Sequence, residues 1–244
     1  MGSTYREIAP SPNLTPFVEC FWTGDIFQTL SARILPDGCA DVLFVTQKNE
    51  LIETQVIGVM TRPHVVPLAA GTSLLGIRFH PGMAGACLRC DIPALNDRQV
   101  PIQSVCGSAA NDLVRLVGGR SALRPRIAAL EDWLTGLPGV TRVQRAIGEL
   151  VGHKGQLSIE DFSAVAGVGE RQLRRTCIKH SGLAPKQLAR ILRFRHAITR
   201  LRTGKQDMTG LALDCGYYDQ AHMIRDFRDL AGISPVRYLR QQSG

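Results

Sequence analysis

The chain has 244 residues, 44% hydrophobic and 20% charged, which is room for one large domain or two ordinary ones and is unlike a disordered protein. No window approaches 18 uninterrupted apolar residues, and the start, Met1-Gly-Ser-Thr-Tyr-Arg-Glu, lacks the blocks of an export signal, so no membrane partner and a cytoplasmic location are expected. The net charge is +8, but residues 1–139 sum to −1 and residues 140–244 to +9, which directs the C-terminal part towards a polyanion.

Short apolar segments open the chain near Ala32–Leu35, Asp41–Thr46, Gln55–Met60, Val65–Ala69 and Leu74–Phe79. Turn residues such as Pro36-Asp37-Gly38 and Lys48-Asn49 separate them, so an antiparallel sheet, barrel or sandwich is expected. From Pro81 the period becomes helical, over Met83–Cys90, Ile102–Val117 and Leu123–Leu137. A boundary falls near Pro138-Gly139, followed by a bridging helix at Thr141–Val151 and a linker at Gly152–Gly155.

The basic half contains a repeat. Leu173-Arg-Arg-Thr-Cys177 with Gly182-Leu-Ala-Pro185 recurs 50 residues later as Met223-Ile-Arg-Asp-Phe227 with Gly232-Ile-Ser-Pro235. With one residue of slip, Ser158–Gly167 parallels Asp207–Gly216. Each copy opens on an N-cap residue, Ser158 or Asp207, and Ser158 with Asp161 fits a capping box. Each then reaches a glycine suited to a left-handed C′ position, Gly167 or Gly216. A second helix follows, Glu170–His180 or Asp219–Leu230, which makes two helix-turn-helix units. Between them Pro185–Arg202 reads as one helix ended by Gly204. Its length of roughly 27 Å is slightly under the ~34 Å between successive major-groove faces of B-DNA.

In such a unit the second helix enters the major groove. Leu173 with Cys177, and Met223 with Phe227, form the inward pairs. That leaves Arg171, Gln172, Arg174 and Arg175 in the first unit as candidate DNA contacts. Gln220, Ala221, His222, Ile224 and Arg225 are their counterparts in the second. Arginine reads guanine, glutamine reads adenine, and Ala221 or Ile224 suits a thymine methyl. A helical arginine is more often solvated or paired with a carboxylate than bound to a base, and phosphate is the other DNA target. Lys179, Lys186, Arg190, Arg193 and Arg195 are assigned to phosphate or solvent.

Residues 157–241 resemble the AraC/XylS class of bacterial transcription regulators. The most specific stretch is Ala212-Leu-Asp-Cys-Gly-Tyr-Tyr-Asp-Gln-Ala-His-Met-Ile-Arg-Asp-Phe-Arg-Asp-Leu-Ala-Gly-Ile-Ser-Pro-Val-Arg-Tyr238. Four positions depart from the family pattern: Tyr217 and Met223 stand where it has Phe, Gly210 where it has a polar helix former, and Cys177 where it usually has Phe. The resemblance implies seven helices in two helix-turn-helix units joined by a long helix. The first part is similar to a domain found ahead of such units, through Tyr5-Arg6, Pro10, Phe21-Trp22, Leu35–Asp41, Ile57-Gly58 and Leu75–Gly82. That implies effector sensing, dimerisation or both.

The expected fold is therefore α+β in two domains. A β-rich domain with following helices, residues 1–138, senses an effector or dimerises; residues 139–156 are helix and linker; residues 157–244 are an all-α DNA-binding domain. Trp22, Arg78 and His80 are the candidate effector contacts, with Arg33 and Asp37 as further possibilities. The expected partners are double-stranded DNA, a small-molecule effector of unknown identity, RNA polymerase and a second protomer. No catalytic motif, cofactor or metal is expected. Three rival readings stay open: a thiol- or metal-responsive regulator using Cys87 and Cys90, a cysteine alkyl acceptor, and an architectural or RNA-binding basic protein. Activation and repression are not distinguished.

Overall fold

The computed structural model describes residues 2–119, 122–204 and 207–242. Eight strands fill the first part: β1 Ser3–Ile8, β2 Val18–Ile26, β3 Leu30–Ile34, β4 Ala40–Gln47, β5 Glu50–Ile57, β6 His64–Leu68, β7 Thr72–Phe79 and β8 Gln99–Pro101. Six form an antiparallel sheet in the order β1-β2-β7-β4-β5-β8, and β3 pairs with β6 as a separate ribbon.

One face of the sheet is apolar and the other mixes aliphatic with polar side chains. Along β4, Ala40, Val42 and Phe44 enter the core, while Leu43 and Val45 turn to a cavity on the other side. Along β7, Leu75, Ile77 and Phe79 enter the core, and Leu74 and Arg78 face the cavity. Period-2 side-chain geometry thus serves the core and the cavity, which hides the polar alternation of a half-solvated strand.

The helices are α1 Ala84–Leu88, α2 Ile102–Cys106, α3 Ala109–Gly118, α4 Leu123–Trp133, α5 Arg142–Gly152, α6 Ile159–Ala166, α7 Glu170–Ser181, α8 Pro185–Arg202, α9 Met208–Asp214, α10 Gln220–Ala231 and α11 Pro235–Gln242. A 3-10 turn at Ile92–Leu95 lies between α1 and β8. Two expectations are corrected. Ile102–Val117 is two helices, because Gly107 at φ 56°, ψ −136° breaks the run. Cys87 and Cys90 do not share a helix face: α1 stops at Leu88 and Arg89 turns left-handed.

Helix α5 begins with a reciprocal capping box between Thr141 and Gln144. It packs against α6 and α7, and Gln144 Nε2 donates to the Gly82 carbonyl at 3.0 Å. The expected linker is a docked turn. Gly155 has φ 75°, and a Cβ there would lie 2.2 Å from the Ala189 carbonyl oxygen on α8. Arg193 Nη1 also donates to the Gly155 carbonyl.

The first part is docked on the helical part at several points. Arg195 on α8 pairs with Glu19 on β2. Arg33 Nη1 donates to the Ala231 carbonyl at 2.8 Å, and Asn96 Nδ2 to the Gly182 carbonyl at 2.6 Å. Gly38 faces α8, where a Cβ would lie 3.2 Å from Leu188 and 3.9 Å from Ile191. No described helix is long and apolar enough to cross a membrane.

Candidate nucleic-acid interface

The repeat folds as two short-helix pairs, α6–α7 and α9–α10, on either side of α8. Ser158 Oγ accepts from Asp161 N, and Asp207 Oδ1 accepts from Gly210 N. The expected capping box at Ser158 is only half made. The Asp161 carboxylate accepts from the Ser158 hydroxyl at 2.7 Å and not from its backbone N–H. Gly167 and Gly216 are left-handed at φ 65° and 76°, which turns each first helix into its second.

The interior of each unit is apolar. Leu173, Cys177, Met223 and Phe227 are fully buried, and Phe194 of α8 meets Phe227 edge-on at 4.9 Å. The small volume of Cys177 is met by Ser181, whose hydroxyl donates to the Cys177 carbonyl at 2.8 Å. Tyr217 is buried between the Arg193 guanidinium and the His222 ring. Gly210 has open space for a methyl group, its nearest neighbour being Asp207 Oδ1 at 3.6 Å, and its φ is not positive. Gly210→Ala should therefore raise stability by about 0.5–1 kcal/mol. Thermal unfolding should show it as an increase of ~2–4 °C per kcal/mol.

On α7, Arg171, Gln172, Arg174 and Arg175 are all exposed. On α10, Ala221 and Arg225 are exposed, and Gln220, His222 and Ile224 are half-buried. Arg171, Arg174, Arg175 and Arg225 make no ion pair with any described residue. His222 is partly committed, because its ring packs edge-on to Tyr217 at 5.2 Å and its backbone N–H caps onto Asp219. Gln220 Oε1 accepts from the Thr209 hydroxyl at 3.3 Å.

α1 and the 3-10 turn of the first part pack on α7, and the hydrogen bonds from the first part fall at the C-terminal ends of the two second helices. Asn96 reaches Gly182 after α7, and Arg33 reaches Ala231 as α10 ends. The N-terminal halves, which a helix-turn-helix unit presents to base edges, stay open.

Three of the five arginines and lysines assigned to phosphate or solvent are structural instead. Arg190 bonds Asp226 at 2.6 Å and Asp229 at 2.5 Å. Arg193 binds the Gly155 carbonyl and covers Tyr217, and Arg195 bonds Glu19 across the domains. Lys179 and Lys186 are exposed. Sequence reasoning missed Tyr218, which is 87% exposed just ahead of α10, and Arg228, exposed one turn after Arg225. The Tyr217-Tyr218 pair before the Asp219 cap was the signal: one ring enters the core and its neighbour cannot.

A cavity of about 520 Å³ lies between the sheet and the β3–β6 ribbon. Trp22 and Arg78 line it; His80 does not. His80 follows the end of β7, near Glu19 and Arg195, and burial lowers its pKa. Of the further possibilities, Arg33 points to Ala231, and Asp37 supports Arg78 from 3.6 Å. Arg78 and Asp41 are register partners on β7 and β4, joined through Nε–Oδ1 at 3.3 Å and Nη2–Oδ2 at 3.2 Å. Burial raises the Asp41 pKa even against the opposing field of Arg78. The Trp22 ring lies over Gly76, where any Cβ would clash at 2.1 Å.

The thiols are unsuited to sensing as free thiolates. Burial pushes Cys87 up to about 12 and Cys90 up to about 11, so both hold their protons at neutral pH. Among the described residues no group of three or more His, Cys, Asp or Glu side chains converges as a metal site would require. Cys39 is buried, with Sγ 3.2 Å from Glu19 Oε2, and its thiol is also raised by burial.

Residues 162–241 match the family described as a helix-turn-helix domain, and residues 6–101 match a domain of unknown function, DUF6597. A curated relative, described as an uncharacterized HTH-type transcriptional regulator of Haemophilus influenzae, is 26% identical over 85 residues. The match takes in 35% of this chain and spans 28% of that relative's length. An AraC-type regulator from Chromobacterium violaceum is 24% identical at TM-score 0.38, covering 41% of this chain and 90% of its own. The DNA-binding domain of AdpA, solved with a target DNA, is 24% identical at TM-score 0.39, covering 43% and 99%. ToxT from Vibrio cholerae is 10% identical at TM-score 0.49, covering 98% of each chain.

Proposed function

We propose that this protein, whose residues 162–241 match a helix-turn-helix domain set behind a DUF6597 match, is an AraC-type sequence-specific DNA-binding transcription regulator that answers a small molecule held in its first domain. One observation carries the DNA reading: Arg175 and Arg225, equivalent in the repeat, are exposed and unpaired on the open halves of α7 and α10, while the α8 arginines Arg190 and Arg195 are ion-paired. On this reading Arg171, Gln172, Arg174 and Arg175 meet one stretch of major groove, and Gln220, Ala221, Ile224 and Arg225 meet the next, with His222 at the margin. The proposed division of labour gives residues 1–138 to sensing or self-association, 139–156 to the connection and 157–244 to DNA. RNA polymerase and a second protomer belong to the same proposal, as does a cytoplasmic setting.

The signal route is supported by contiguity. Asp37, 3.6 Å from the cavity-lining Arg78, sits in the Pro36-Asp37-Gly38 turn, and Gly38 faces α8 so closely that a Cβ there would lie 3.2 Å from Leu188 and 3.9 Å from Ile191. A ligand that moves this turn bears directly on the helix that spaces the two units.

Selection from a random DNA pool tests the function. A regulator should enrich one asymmetric site and prefer it by ~10³-fold or more over random DNA at physiological salt. Enrichment of no sequence, or equal retention of RNA, would leave a basic nucleic-acid binder instead.

A further inference from the structure

The cavity wall mixes aliphatic surface with polar groups: Arg78 and Asp41 lie together on it, and Gln47, Glu53, Gln55 and Gln99 line it elsewhere. Leu43, Val45, Leu74 and Val66 supply aliphatic surface, and Arg78 with Asp41 closes one side. The Arg78 guanidinium is already occupied. Nε and Nη2 face Asp41, Asp37 stands 3.6 Å from Nε, and Nη1 reaches the Tyr5 hydroxyl at 3.5 Å. Two carboxylates therefore meet one guanidinium, and the cluster carries one uncompensated negative charge when both are ionised. Burial raises the Asp41 pKa against the field of Arg78, and the Asp37 charge adds to the rise.

Two aromatic rings flank this side. Tyr5 and Trp22 have centroids 5.9 Å apart and tilted faces, and both line the cavity. Aromatic faces attract cations, most strongly where water is excluded. The buried Trp22 Nε1 has no hydrogen-bond partner of normal geometry, and it lends Asp41 a weak favourable field.

Taking the cavity as the sensing site, as proposed above, we infer that it binds a lipophilic organic cation: an amine or quaternary ammonium on an aromatic or aliphatic body. The ammonium sits beside Asp41, whose partner Arg78 is shared with Asp37 behind the wall, and against the Trp22 and Tyr5 rings, and the body fills the aliphatic wall. A carboxylate ligand would have to evict Asp41 from Arg78 or lie unpaired beside two like charges. A neutral ligand would fill the volume and leave the excess charge unanswered.

The test compares three probes with one body, 4-phenylbutylamine, 4-phenylbutanol and 4-phenylbutyrate, titrated calorimetrically into the full chain near pH 7.5. The amine should bind at least tenfold tighter than either of the others. Asp41→Asn and Asp37→Asn should each cut that preference below threefold, with thermal unfolding checking that both variants fold. The Asp37 side chain is 28% exposed, more than that of Asp41 at 13%, so its variant keeps the test open if Asp41→Asn misfolds. Leu74→Trp, which fills the cavity, should abolish binding of all three. Tighter or equal binding of the carboxylate or the alcohol overturns the cation inference and leaves the sensing role standing. Failure of all three to bind the folded protein at millimolar concentration overturns both.

Discussion

Arg190→Met should destabilise the protein by about 3 kcal/mol in urea unfolding at neutral pH, the lower end of the range for breaking a buried pair. Asp226 is 3% exposed on the core side of α10, and Arg190 on α8 is its one ion-pair partner among the described residues. The second carboxylate oxygen of Asp226 is buried without a partner, so removing Arg190 strands a whole charge in the core. The value belongs at the lower end because the Arg190 side chain is 35% exposed and water partly screens the pair. Asp229, 63% exposed, is re-solvated and adds little. The double variant Arg190→Met, Asp226→Met should recover most of the loss, since no charge is then left unpaired. Equal losses in the single and double variants would mean that Arg190 acts through packing alone. The pair also fixes α10 to the spacing helix, so the single variant should weaken DNA binding along with stability.

The helical half was legible because its rules are local. A cap, a 3.6-residue stripe and a left-handed glycine sit within one segment, and the repeat printed them twice, at Ser158–Gly182 and Asp207–Gly232. Strands β1 and β2 were not read at all. β1, Ser-Thr-Tyr-Arg-Glu-Ile, is exposed along almost its whole length, and only pairing with β2 makes it a strand. β2 carries Glu19, Gly24 and Asp25, and an irregularity between Val18 and Cys20 shifts its alternation. The site divided in the same way. Arg171, Arg174, Arg175 and Arg225 could be aimed outward from helical phase alone, because their inward neighbours were visible in the sequence. Arg190, Arg193 and Arg195, read as phosphate or solvent contacts, are structural instead. Their partners lie 36, 38 and 176 residues away, a separation that periodicity does not encode. Trp22 and Arg78 came to the cavity wall by register across β2, β7 and β4, whereas His80 lies one residue past the end of β7 and faces the domain junction.

Arg175→Ala and Arg225→Ala should each cost about 1–3 kcal/mol of binding to the selected site, which is roughly 5- to 150-fold in affinity. Their stability should stay within about 0.5 kcal/mol of the parent, because both side chains are exposed and make no ion pair with a described residue. That separates them from Arg190→Met, where weaker binding follows from a damaged fold. Base reading and phosphate holding predict different patterns. If an arginine reads a base, its loss reduces the preference for the site over random DNA and relaxes selection at one position. If it holds phosphate, specific and non-specific binding fall together and the salt dependence loses about one unit of slope. The two units meet separate stretches of groove, so the double variant should lose the sum of the single losses to within about 0.5 kcal/mol. Equal loss on specific and random DNA for both variants would withdraw base reading from these arginines, and the exposed Tyr218 and Arg228 on the second unit would be the next side chains to test.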